Sequence, residues 1–97
     1  MFGLSETEFQ FLKENLIQPL KRKGAKVWIF GSRATGTHKK FSDVDIMVEG
    51  SEDYSSDIST IQEFFSKSSF PYKIDLVQLK DFAPSYKPNF EREKRSL

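Results

Sequence analysis

The sequence predicts a small layered α/β fold in which helices cover a sheet. Three observations predict it. Apolar residues recur at helical spacing between Phe9 and Leu20 and again between Ile58 and Phe65. Three β-branched or aromatic runs, Lys26–Phe30, Asp43–Val48 and Tyr72–Leu79, alternate with those segments. A chain of 97 residues suits one compact domain, residues 1–97, without a second core.

The first helix is expected from Ser5, where Ser5 and Glu8 form a capping-box pattern and Phe9, Leu12, Leu16 and Leu20 line one stripe. Pro19 is expected to kink or stop it. Lys21, Arg22 and Lys23 suit the negative end of a helix dipole better than a phosphate site, and Gly24 can supply a left-handed cap. Lys26–Phe30 then reads as a buried strand ending at Gly31. In Asp43–Val48 apolar and other residues alternate, with Val44, Ile46 and Val48 toward the core and Asp43, Asp45 and Met47 on the opposite face. A polar loop, a second helix over Asp57–Lys67, a break at Pro71 and a third strand carrying Asp75 follow. Glu91–Arg95 is expected to form a short last helix.

Composition narrows the function. Fifteen basic against fourteen acidic residues give a net charge of +1, which argues against a broad basic surface dedicated to nucleic acid. The absence of cysteine excludes disulfides, thiolate metal sites and cysteine nucleophiles, so a metal would need oxygen ligands. No apolar run approaches the roughly 20 residues needed to span a bilayer, and a soluble cytoplasmic protein is expected. Ten Phe and one Trp supply a core, while so small a core makes association with a partner or another copy an expectation.

A strand that puts Asp43 and Asp45 on one face directs two like charges into one volume, which a cation relieves. Asp75 would complete a three-carboxylate oxygen environment of the kind Mg²⁺ or Mn²⁺ prefers if it projects from the same face; on its own it fits equally well as a partner of Lys73. The calcium-loop pattern fails because Met47 stands at its third ligand position. Gly31-Ser32 would expose backbone N–H groups and a hydroxyl to a phosphate, although the same dipeptide also fits a plain β-turn. Arg33 could brace phosphate oxygens or pair with an acidic neighbour. The glycine spacing of Gly31–Gly36 matches a Walker A loop, yet Thr37-His38 stand where Lys and Ser/Thr are required. His38 reads as a loop residue rather than a general base.

Gly31-Ser32, ten intervening residues and Asp43-x-Asp45 resemble the signature of the DNA polymerase β-type nucleotidyltransferase superfamily. More narrowly, GSRATG followed by SDVDIMV resembles the minimal nucleotidyltransferase (MNT) group, whose short chains serve as antitoxins beside HEPN-domain toxins. The resemblance implies a nucleotidyltransferase fold, a small mixed sheet flanked by helices. It further implies two Mg²⁺ ions, or Mn²⁺, held by the catalytic residues Asp43, Asp45 and Asp75. Gly31, Ser32 and Arg33 would contact the nucleotide. The implied reaction moves a nucleoside monophosphate, usually AMP from ATP, to a hydroxyl such as a tyrosine of a HEPN partner. Thr35 departs from the GSRARG form common in the group. The alternative is an antitoxin that works by occlusion alone, with Phe82, Tyr86 and Phe90 as partner anchors or as part of its own core.

Overall fold

The protein is described by a computed structural model covering residues 1–97. Helix α1 (Glu6–Leu12) starts as the sequence predicts: the Ser5 hydroxyl accepts from the Glu8 N–H at 3.1 Å, and the Glu8 carboxylate accepts from the Ser5 N–H at 2.8 Å. Pro19 does not stop the helix. The chain passes through a π-helical turn, Lys13–Ile17, and resumes as α2 (Gln18–Arg22) with Pro19 in its first turn. Pro19 has no N–H to donate, and the widened turn falls just before it, with the Gln18 N–H donating to the Lys13 carbonyl, so the helix continues past the proline. Gly24, at φ +87°, closes the end, with the N–H groups of Lys23 and Ala25 both donating to the Leu20 carbonyl at 3.1 Å.

Strands β1 (Lys26–Phe30), β2 (Val44–Glu49), β3 (Ile74–Gln78) and β4 (Arg95–Ser96) form one mixed sheet in the order β3-β2-β1-β4. β2 runs antiparallel to β1 and parallel to β3, and the crossover between β2 and β3 carries the longest helix. Numbering α3 (Ser32–Thr35) first, that crossover helix is α4 (Ser55–Lys67) and the last is α5 (Lys87–Glu93). β4 pairs with β1 and was not expected: two residues, Arg95-Ser96, carry no strand periodicity. The last helix ends at Glu93, so Arg95 belongs to that strand instead.

The register divides the sheet into two faces. Val27, Ile29, Val44, Ile46, Ile74 and Leu76 share one face and pack with Leu12, Leu16 and Leu20 of the first helical run and with Ile58, Ile61 and Phe65 of α4. The other face carries Trp28, Phe30, Asp45, Met47, Asp75 and Val77. Met47 shares the Asp45 face as expected, yet it is fully buried, because the C-terminal segment covers part of this face. Phe82 and Phe90 stand edge-on to Phe30 at 5.7 and 5.5 Å, and the Lys94 ammonium lies 4.4 Å from the centre of the Trp28 ring. Phe90 is therefore core, whereas Tyr86 is exposed. No helix is long and apolar enough to cross a membrane.

Candidate functional site

The carboxylates gather where β1 ends and β2 and β3 begin. β1 stops at Phe30, and Gly31 (φ +74°, ψ −157°) turns the chain into α3, which Gly36 closes at φ +79°. The segment read as a turn is thus a single helical turn, with the N–H groups of Ala34 and Thr35 returning to the Gly31 carbonyl at 3.1 and 3.2 Å. Thr35, at the departure from GSRARG, hydrogen-bonds through its hydroxyl to the carbonyls of Gly31 (3.3 Å) and Ser32 (3.2 Å). Glycine is required at Gly31 for two reasons: the positive φ, and a Cβ that would stand 2.5 Å from Asp45 Oδ2. The Asp45 carboxylate thus lies directly against the Gly31-Ser32 turn.

Asp43 immediately precedes β2, Asp45 is its second residue, and the parallel register sets Asp45 beside Asp75. Neighbouring strands lie about 4.8 Å apart, so these two carboxylates occupy adjacent positions on one face. Asp43 and Asp75 are exposed and Asp45 is half-buried between them, which makes the site an open rim. Burial pushes the Asp45 carboxyl up from its ordinary value of 3.8 to about 6, with the charges of Asp75 and then Asp43 adding to the rise and Arg33 opposing it. Glu93 of α5 contributes in the same direction. Sequence reading missed this fourth acid, because no spacing ties it to the D-x-D and only the fold of the C-terminal segment brings it near.

The sequence led to the expectation that the three aspartates meet at a point. They share one rim of the sheet, but no three acidic or histidine side chains close into a ligand cage, as befits like charges that repel one another. The residues nevertheless fit a divalent cation. The donors are hard carboxylate oxygens, the central one is pushed toward protonation by burial and then by the charges of Asp75 and Asp43, and the missing Cβ of Gly31 gives the Asp45 carboxylate its room against the turn. Asp43, Asp45 and Asp75 are the residues that could hold Mg²⁺ or Mn²⁺.

Arg33 is placed differently from the expectation. It is 3% exposed, and three of its nitrogens are spent on backbone carbonyls: Nε and Nη2 donate to Ser42 O at 3.0 and 2.8 Å, and Nη1 donates to Phe2 O at 3.0 Å. Its guanidinium also lies 4.2 Å from the centre of the Tyr72 ring. His38 packs against the backbone of Gly3, where a Cβ would come within 2.2 Å of its Nε2.

This mixed sheet, with a glycine turn at the end of one strand and in-register acids on the next two, belongs to a recognisable class. The chain is a member of the nucleotidyltransferase domain family, which matches it over residues 11–97. It is similar to a probable protein adenylyltransferase, MntA, of Haemophilus influenzae, with 40% identity over 53 residues that make up 53% of this chain and 46% of that protein. The match therefore spans about half the length of that curated relative. Among solved structures, the fold resembles a toxin–antitoxin crystal structure with AMP-PNP at a TM-score of 0.65 and 23% identity, covering 88% of this chain and 72% of that one. It also resembles a complex of a tri-AMPylated Shewanella oneidensis HEPN toxin with its MNT antitoxin, at a TM-score of 0.58 and 21% identity, over 90% of this chain and 70% of that one. At these identities the likeness to the solved structures is one of fold.

Proposed function

We propose that this chain is a cytoplasmic, single-domain nucleotidyltransferase that moves AMP from ATP onto a hydroxyl of a HEPN-domain partner, a tyrosine, and so acts as its antitoxin. The observation that carries the reading is the pairing of Asp45 with Asp75 in register, with the Asp45 carboxylate against the backbone of Gly31. Family membership supports the reaction class, and the names of the similar proteins support the choice of nucleotide and partner.

In this reading Asp43, Asp45 and Asp75 hold two divalent ions, Mg²⁺ with Mn²⁺ as a substitute. When bound, such ions neutralise phosphate charge and polarise the reacting phosphorus. The first N–H groups of the α3 turn and the Ser32 hydroxyl orient the leaving phosphates, since the opening of a helical turn leaves donors without intrahelical partners. Asp75 accepts the proton of the acceptor hydroxyl. The hydroxyl oxygen forms a bond to the α-phosphorus, the bond from that phosphorus to the bridging oxygen of the β-phosphate breaks, and pyrophosphate leaves.

The test uses the purified protein, Mg²⁺, ATP labelled at the α-phosphate and a co-expressed HEPN partner. The expected outcome is covalent label on the partner, abolished by Asp43→Asn with Asp45→Asn while the far-UV circular dichroism is unchanged. Binding by occlusion is favoured by one feature, a groove of about 450 Å³ between α4, β3 and the C-terminal segment, lined by Ile58, Leu76, Phe82 and the exposed Tyr86 among others. If the double Asn variant still neutralised the partner fully in cells, that reading would replace transfer.

A further inference from the structure

We propose that Arg33 is a positioning residue that sets the spacing of the site's carboxylates from beneath, with the Phe2-Gly3 turn as its second anchor. The inference rests on the reading of Asp43, Asp45 and Asp75 as a metal-binding set. A buried guanidinium is costly unless its donors are satisfied, and here the partners are two backbone carbonyls and an aromatic face rather than a carboxylate. Those contacts fall on the segments that deliver the site. Ser42 O belongs to the peptide that leads into Asp43, and two donors from one rigid fork fix the plane of that peptide. Tyr72 lies three residues before Asp75, on the approach to β3. Arg33 itself follows Ser32 in α3. One side chain thereby ties together the phosphate turn and the approaches to two of the carboxylates.

The anchored segments are held in conformations they would not adopt freely. Phe41, at φ +68°, sits inside a turn in which the Ser42 N–H donates to Lys39 O at 3.1 Å and the Lys39 N–H donates to Ser42 Oγ at 2.8 Å. Phe2 has φ +55°, and its carbonyl is held by Arg33 Nη1. Gly3 lies so close behind that a Cβ would come within 2.8 Å of that same Nη1 and 2.2 Å of His38 Nε2. Left-handed backbone at non-glycine residues persists only where surrounding contacts impose it. A lysine could reach one carbonyl but not both with paired donors, so the fork is the feature that matters.

The experiment compares wild type, Arg33→Lys and Gly3→Ala in three measurements: Mn²⁺ affinity without nucleotide by electron paramagnetic resonance, hydrogen exchange at the Asp43 and Val44 amides, and steady-state transfer from ATP. Positioning predicts that Arg33→Lys weakens Mn²⁺ binding by about tenfold or more, as removal of a partner behind a metal ligand does. It also predicts faster exchange at the Asp43 amide, a fall in kcat, and a KM for ATP within about twofold of wild type, because uniform ATP binding is untouched. Gly3→Ala should move all three in the same direction by less, and it keeps the test alive if Arg33→Lys fails to fold. A rise in KM for ATP with unchanged Mn²⁺ affinity and unchanged exchange at Asp43 would make Arg33 a phosphate ligand and overturn the proposal. Should wild type bind no Mn²⁺, the metal-site reading fails, and the exchange measurement decides the brace alone: unchanged exchange at Asp43 in Arg33→Lys refutes it.

Discussion

Asp45, near the start of β2, and Asp53, in the loop beyond that strand's far end, are pushed in opposite directions. At the far end, Asp53 Oδ1 accepts from the Ser55 hydroxyl at 2.6 Å and from Gln78 Nε2 at 3.0 Å, and Lys80 approaches it at 3.3 Å. These bonds, the Ser55 hydroxyl foremost, hold the Asp53 carboxyl well below the usual carboxylate range. Asp45 is driven up to about 6 by burial and by Asp75 and Asp43. The difference teaches how to read aspartates in and beside a sheet. An acid supplied with donors is part of the scaffold. An acid pressed against other acids, with a glycine beside it to leave room, needs a counter-charge from elsewhere.

The largest effect that separates the two ends is on chemistry. Asp45→Asn is expected to lower AMP transfer by about a thousandfold or more, measured with α-labelled ATP, whereas Asp53→Asn should leave transfer within about threefold, because surface changes away from a site rarely move catalysis. Comparable loss in both variants would erase the distinction.

Stability should follow the reverse order. Gln78 is 5% exposed, its Oε1 accepts from the Tyr54 N–H at 2.8 Å, and its amide nitrogen bonds Asp53, Ser55 and Asp81. Gln78→Leu leaves a buried N–H unpaired and should cost about 2–3 kcal/mol in urea unfolding, with Mn²⁺ affinity unchanged. Asp45→Asn is expected to stabilise the metal-free protein. The full shift is reduced by screening at a half-exposed carboxyl, which leaves about 1–2 kcal/mol.

The pH dependence carries the same signature. Because the folded Asp45 pKa lies above the ordinary value of 3.8, the folded state binds this proton more readily than the unfolded chain. The contribution of Asp45 to metal-free stability therefore rises as pH falls from about 7 through 6 toward 3.8, and the rise disappears in Asp45→Asn. Asp53 behaves oppositely: its depressed pKa gives stability that is present above 3.8 and is lost on further acidification. Its exposure makes this the smallest effect, visible as a slightly lower Tm for Asp53→Asn at neutral pH and no difference in strong acid.

The Asp45 end of the molecule was legible in the sequence, whereas the donors around Asp53 were not. The capping box at Ser5, the strand ending at Phe30 and the alternation from Val44 to Val48 are local patterns, and local patterns survive folding. The D-x-D, its distance from Gly31-Ser32 and the later strand aspartate are likewise readable as spacing, and the register then sets Asp45 beside Asp75. What escaped the sequence depends on contacts between distant segments. Pro19 is absorbed by a π-turn that no propensity foretells. β4 exists because the chain returns to the open edge of β1, and the same return covers Met47 and carries Glu93 toward Asp45. Arg33, following Gly31-Ser32, could be read as a phosphate contact or as the partner of an acidic neighbour. Its burial is set by Phe2 and Ser42, which the spacing of the motif does not encode.

The most direct measurement is the anomalous scattering of a crystal soaked with Mn²⁺ and a non-hydrolysable ATP analogue. Strong peaks bounded by the carboxylates of Asp43, Asp45 and Asp75, with the phosphates of the analogue against Gly31-Ser32, are the predicted result. An empty rim there, or manganese settling instead beside Asp53 and Asp81, would contradict it.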